Sequence, residues 1–147
     1  MNPGELNLSA AAILQPVVTL AAWSMVMWLW MYVTRIPAIA KMNLKLDRDV
    51  PPRDLMNQLP PSVRWKADNY NHLMEQPTLF YAVALTLALA GAGDGWALKL
   101  AWAYVFVRIM HSLFQATVNK IEVRFGMFAI SSLVLVGLIG FAAAAVF

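Results

Sequence analysis

The sequence predicts an all-α integral membrane protein, a four-helix bundle in one domain over residues 1–147. Three observations carry that expectation. Only 13% of the residues are charged and 61% are hydrophobic, where a soluble domain has about 25% charged residues. The apolar residues fall in long blocks instead of periodic stripes, the pattern of segments surrounded by lipid. No run alternates with period two, which argues against a membrane β-barrel.

Crossing ~30 Å of hydrocarbon takes about 20 helical residues. The first expected span, residues 10–34, is uncharged, rich in Trp and Met, and closed by Arg35 and Pro37. The second, residues 71–90, carries one charge, Glu75. Gly91, Gly93 and Gly95 then mark a tight turn, since glycine supplies positive φ at no steric cost. The third, residues 96–118, carries Lys99, Arg108 and His111, and the fourth, residues 125–147, has no charge. The polar stretch 35–70 is read as a loop punctuated by Pro51-Pro52 and Pro60-Pro61. Proline suits a first helical turn, so Pro61 is expected to open an extension of the second helix that carries residues 64–70 beyond the membrane.

The absence of cysteine excludes disulfides, thiolate catalysis and zinc–thiolate sites. Residues 1–5 lack the basic n-region of a signal peptide, so the first apolar run is read as a retained helix. Arg35, Lys41, Lys45, Arg48, Arg53, Arg64, Lys66, Lys120 and Arg124 share one side of the membrane, and Lys99 alone lies on the other. The positive-inside rule therefore puts the 35–70 loop in the cytoplasm and both termini outside. The net charge of +3 then reflects topology and anionic lipid headgroups. With no basic face interleaved with aromatics outside the membrane, nucleic acid is not an expected partner. The short chain without a targeting segment fits a bacterial inner (cytoplasmic) membrane.

Ionisable groups inside a span cost ~2.5–3.5 kcal/mol each on insertion scales, so their placement is informative. Tyr104, Arg108, His111, Gln115 and Asn119 recur at three- and four-residue spacing, which puts them on one helix face. Asp68, Asn71, Glu75 and Thr78 form a matching stripe on the second helix, with Glu75 in reach of Arg108 if that side chain extends toward it. Two readings are open: polar groups that lock helix packing, or a polar cavity, positive at its centre, suited to a carboxylate-bearing ligand. His72, Glu75 and His111 make too thin a set for a metal site, and none is expected.

The run from Ala67 to Phe80, with Asn71, Glu75, Pro77 and Phe80, resembles the Asn…Glu…Pro…Phe signature of the MAPEG superfamily, the membrane-associated proteins in eicosanoid and glutathione metabolism. Arg108 with His111 resembles its Arg-x-x-His element, and Arg124 is similar in place to the arginine that assists the glutathione thiol. The resemblance covers nearly the whole chain. It implies a homotrimer with glutathione as co-substrate, bound between neighbouring subunits at the cytoplasmic side. Arg35, Asn71, Glu75, Arg108, His111 and Gln115 would hold the tripeptide, and Arg124 would act on the thiolate. Departures accompany it. Asn71 and Glu75 are four residues apart where the family usually has three. Gln115 replaces a tyrosine of several members, and Phe125 and Phe128 stand where some carry serine and tyrosine. The implied function is glutathione transfer to hydrophobic electrophiles, or reduction of lipid hydroperoxides, arriving from the bilayer. The alternative is a non-catalytic lipid-binding or accessory subunit of a larger membrane assembly.

Overall fold

The computed structural model describes residues 10–45 and 47–147; the reading of residues 1–5 as no signal peptide lies outside them. A 3-10 turn, Ala10–Ile13, leads into α1 (Leu14–Lys41). There follow α2 (Pro52–Met56), α3 (Pro61–Glu75), α4 (Pro77–Leu89), α5 (Gly95–Thr117) and α6 (Ile121–Val146), with no strand among the described residues. The protein is an all-α membrane helix bundle. α1 with its leading turn, α5 and α6 are each long and apolar enough to cross a membrane.

The second segment is interrupted at Gln76, whose backbone nevertheless stays helical at φ −60° and ψ −38°. α3 has 15 residues and α4 has 13, about 22 and 20 Å at 1.5 Å per residue, so neither crosses ~30 Å alone. The break falls at Gln76 because Pro77 has no N–H to return to the Leu73 carbonyl. Pro77, Pro61 and Pro52 all occupy first-turn positions, where that missing donor costs nothing.

α1 runs past Arg35 and Pro37 to Lys41. An exposed proline forfeits one intrahelical bond without stopping the chain when its φ already suits the helix. The stop comes at Asn43, left-handed at φ +49°, where Leu44 N–H reaches back to the Ile39 carbonyl at 3.2 Å. The same device ends α5: Asn119 lies at φ +57° and its N–H meets the Phe114 carbonyl at 2.9 Å. α6 then begins at Ile121, so Arg124 sits in its first turns. Gly91 takes φ +71° in the turn between α4 and α5.

α5 is the central helix. Ala97, Ala101, Tyr104, Val105, Arg108, His111, Ser112, Gln115 and Ala116 are buried along it. The buried face of its first turns is apolar, with Leu87, Leu135 and Leu138 among its surroundings. Toward the other end the core turns polar, and that change of character places the site.

Candidate functional site

The stretch between α1 and α3 is a wall. Leu55 and Leu59 are buried, which holds α2 and the turn after it against the protein. The result is a cavity of about 580 Å³ lined by Arg35 of α1, by Arg53 of α2, and by Arg64, Asp68 and Asn71 of α3. The three α3 residues are spaced four and three apart, so they share one face. Nε of Arg35 and Nε of Arg64 are buried without a hydrogen-bond partner. Asp68 takes part in neither of the ion pairs found among the described residues, which are Arg48 with Asp49 and His72 with Glu75. Lys66 points elsewhere: its ammonium donates to the Ser62 carbonyl at 2.7 Å and lies 5.3 Å from the Trp30 ring. Partial burial there lowers its pKa below the usual lysine value.

Behind this wall lies a buried polar layer between α1, α3 and α5. Ser112 Oγ accepts from Trp23 Nε1 at 2.9 Å and from Asn69 Nδ2 at 2.7 Å. Arg108 is fully buried and donates from Nη2 to the His72 carbonyl at 3.0 Å. It thereby fastens α5 to the last turn of α3, one residue before the Leu73 carbonyl that Pro77 leaves without a helical donor. Its Nε and Nη1 have no partner, and among the described residues no carboxylate is paired with it. Glu75 instead points outward, its side chain 70% exposed, with Oε2 3.1 Å from His72 Nδ1. Gln76, at the break, donates to Ser132 Oγ at 2.8 Å and accepts from the Tyr104 hydroxyl at 3.4 Å.

A second cavity of about 350 Å³ opens between α3, α5 and α6, lined by His72, His111, Ile121, Arg124, Phe125 and Phe128. The His72 and His111 rings lie 5.1 Å apart, and His72 lies 5.3 Å from Phe128. Arg124 is aimed by the helix stop described above: its Nη1 donates to Asn119 Oδ1 at 2.6 Å, while its Nε is unpartnered. A guanidinium next to apolar rings favours an anion, a thiolate included.

The residues singled out by sequence thus fall in three places. Arg35 and Asn71 line the first cavity; His111 and Arg124 line the second. Arg108 and Gln115 are buried in the layer between, and Glu75 lies outside both cavities, paired with His72. Sequence reasoning put Asp68 in the second-helix stripe without naming it a ligand contact, and passed over Arg53 and Arg64 as site residues and Asn69 and Ser112 as the hub of the buried layer. The spacing of Arg64, Asp68 and Asn71 behind a helix-opening Pro61 was the available signal for the first group.

Comparison with curated proteins and with solved structures finds no match. The sequence model of the MAPEG family, by contrast, matches residues 13–144, a stretch that takes in α1 to α5, all but the last two residues of α6, and both cavities. With that coverage, the chain belongs to the MAPEG family of membrane proteins, whose members act in glutathione and eicosanoid metabolism.

Proposed function

We propose that this protein binds glutathione in the arginine-walled cavity and transfers its thiol to a hydrophobic electrophile, or uses it to reduce a lipid hydroperoxide. One observation carries the reading: Arg35, Arg53 and Arg64 converge on a single cavity of about 580 Å³, two of them with an unpartnered Nε. Glutathione brings two carboxylates and one ammonium. The guanidinium fork matches carboxylates, and the volume suits a ligand of that size. Asn71 adds a neutral donor and acceptor. The cavity is close to the end of α1 and the start of α3, the basic side of the protein, which the charge distribution assigns to the cytoplasm.

Arg124 is the residue proposed to act on the thiolate, since it holds a free guanidinium edge in the apolar second cavity. In the homotrimer that family membership suggests, the two cavities belong to one site shared by neighbouring subunits, and Glu75 faces the neighbour instead of lipid. His111 and Gln115 then hold the shared wall in place. Membrane lipids bound the site on its outer side, and the electrophile enters from them. A bacterial inner membrane, with both termini outside, is the matching location.

The test is calorimetric titration of glutathione into the purified protein in detergent, beside Arg64→Ala. Saturable binding that weakens about tenfold or more in the variant is expected, the scale of losing a charge-assisted hydrogen bond. Absence of saturable binding to the wild type refutes the reading.

A second reading, a non-catalytic lipid-binding or accessory subunit, has its own observation. Among the described residues no hydroxyl side chain lines the second cavity, where Phe125 and Phe128 stand beside Arg124. It predicts glutathione or lipid binding without turnover, and co-purification with a larger membrane assembly.

A further inference from the structure

Arg124 rises from the first turns of α6, and so long and flexible a side chain keeps one direction only if its far end is held. The structure supplies one fixed point: Asn119 Oδ1 accepts from Arg124 Nη1 at 2.6 Å. Asn119 is itself held. Its backbone is left-handed at φ +57°, and its N–H is spent on the Phe114 carbonyl at 2.9 Å, closing α5. The anchor thus belongs to the end of one helix and the guanidinium to the start of the next. With Nη1 engaged, the edge formed by Nε and Nη2, the two-donor side of the fork, has no partner among the described residues. Asparagine fits both tasks. Glycine takes a left-handed backbone more readily but brings no acceptor. Aspartate brings an acceptor, but its charge would offset that of the guanidinium, the property an anion needs.

We propose that Asn119 is the positioning residue for Arg124: a neutral acceptor that fixes the guanidinium and leaves its positive charge undiminished for the glutathione thiolate. The assignment rests on the thiolate role given to Arg124 above. The contact lies within one chain, between residues five apart, so it does not depend on how subunits assemble. The other titratable and charged groups around this site are His72 and Glu75 of α3, Arg108 and His111 of α5, and Lys120 and Glu122 beside Arg124 in the chain. All of them stay unchanged in the variants below.

The experiment follows the ultraviolet absorbance of the thiolate of bound glutathione against pH, in the full-length protein in detergent. Wild type, Asn119→Gly, Asn119→Asp, Arg124→Ala and the double variant Asn119→Gly with Arg124→Ala are compared, with calorimetric affinity and thermal unfolding beside them. The wild type is expected to hold the thiol below the free value of about 8.5, and Arg124→Ala to reduce its acidity ~10–100-fold. Asn119→Gly keeps the left-handed backbone and should keep Tm. It should reduce the acidity about three- to tenfold while affinity changes less than about threefold. Asn119→Asp keeps backbone and acceptor and should reduce the acidity about tenfold through its charge. In the Arg124→Ala background, Asn119→Gly should change nothing further, because the group it positions is gone. A thiol in Asn119→Gly as acidic as in the wild type, or an equal loss when Arg124 is already absent, overturns the assignment and leaves the role of Arg124 intact. Should Asn119→Gly fail to fold, reduced acidity in Asn119→Asp supports the assignment and unchanged acidity overturns it. If Arg124→Ala leaves the acidity unchanged, the thiolate role falls and takes the assignment with it. If the wild type binds no glutathione, the glutathione reading falls with both.

Discussion

Replacing Arg108 by methionine should leave the protein at least as stable as before, although Arg108 is a charged residue at the centre of the bundle. The side chain is fully buried, makes one hydrogen bond, to the His72 carbonyl, and leaves Nε and Nη1 without partners. Each unsatisfied buried donor costs about 1–3 kcal/mol, and more on a charged group, while the single charge-assisted bond returns about 1.5–3 kcal/mol. Methionine fills a similar irregular volume with a flexible apolar chain. The balance is therefore a gain of roughly 1–3 kcal/mol, consistent with buried ion groups replaced by well-packed apolar ones. The assay is thermal unfolding in detergent with a parallel glutathione titration. Tm should hold or rise by several degrees, and glutathione affinity should change less than about threefold, because Arg108 lines neither cavity. A clear fall in Tm would refute the reasoning, since it would mean that the guanidinium has a counter-charge supplied from outside this chain. A tenfold loss of affinity with Tm unchanged would restore Arg108 as a ligand contact.

Two further outcomes are expected. Arg124→Ala should reduce glutathione turnover by ~10–100-fold, the equivalent of one to two pKa units on the thiol, while glutathione affinity stays within a few-fold; steady-state kinetics beside calorimetry separates the two, and equal loss of both would count against the thiolate role. Gly137→Ala should stabilise the protein by about 0.5–1 kcal/mol through helix propensity, because a Cβ there would meet only Leu100 Cδ1 at 3.5 Å, an ordinary contact; a drop in Tm would show a second chain packed closely on that face.

The membrane helix bundle was legible because three segments are apolar for long enough that no other environment suits them. The end of α1 was harder to read. Arg35 and Pro37 look like a stop, yet one missing donor does not end a helix, and the true stop depends on Asn43 adopting a left-handed backbone, which asparagine only sometimes does. The break at Gln76 was written in the sequence as Pro77, but a hydropathy reading runs straight across it. For the site, the stripe on α5 identified a polar face without saying what faces it. That depends on the rotation of α3 about its axis. Asn69 and Asn71 are two residues, about 200°, apart on a helix, so one enters the buried layer and the other lines the cavity. A single sequence that offers Asn69, Asn71, Asp68 and Glu75 within one turn or two carries no label for which of them faces inward. Trp23 as the partner of Ser112 was equally hidden, since 89 residues separate them and tryptophan in a span is ordinarily an interface anchor.

The interrupted segment has a mechanical consequence. α3 is moored to α5 through Asn69 and Arg108, and Gln76 ties the joint itself to α6 through Ser132. All six polar wall residues of the first cavity, Arg35, Arg53, Asn57, Arg64, Asp68 and Asn71, precede that joint in the chain. Gln76 keeps a helical backbone at φ −60° and ψ −38°, so the joint lacks one hydrogen bond and not its helical path. A missing bond held between three polar ties makes Gln76 the softest point of the segment and keeps the cavity-bearing turns of α3 fastened to the bundle.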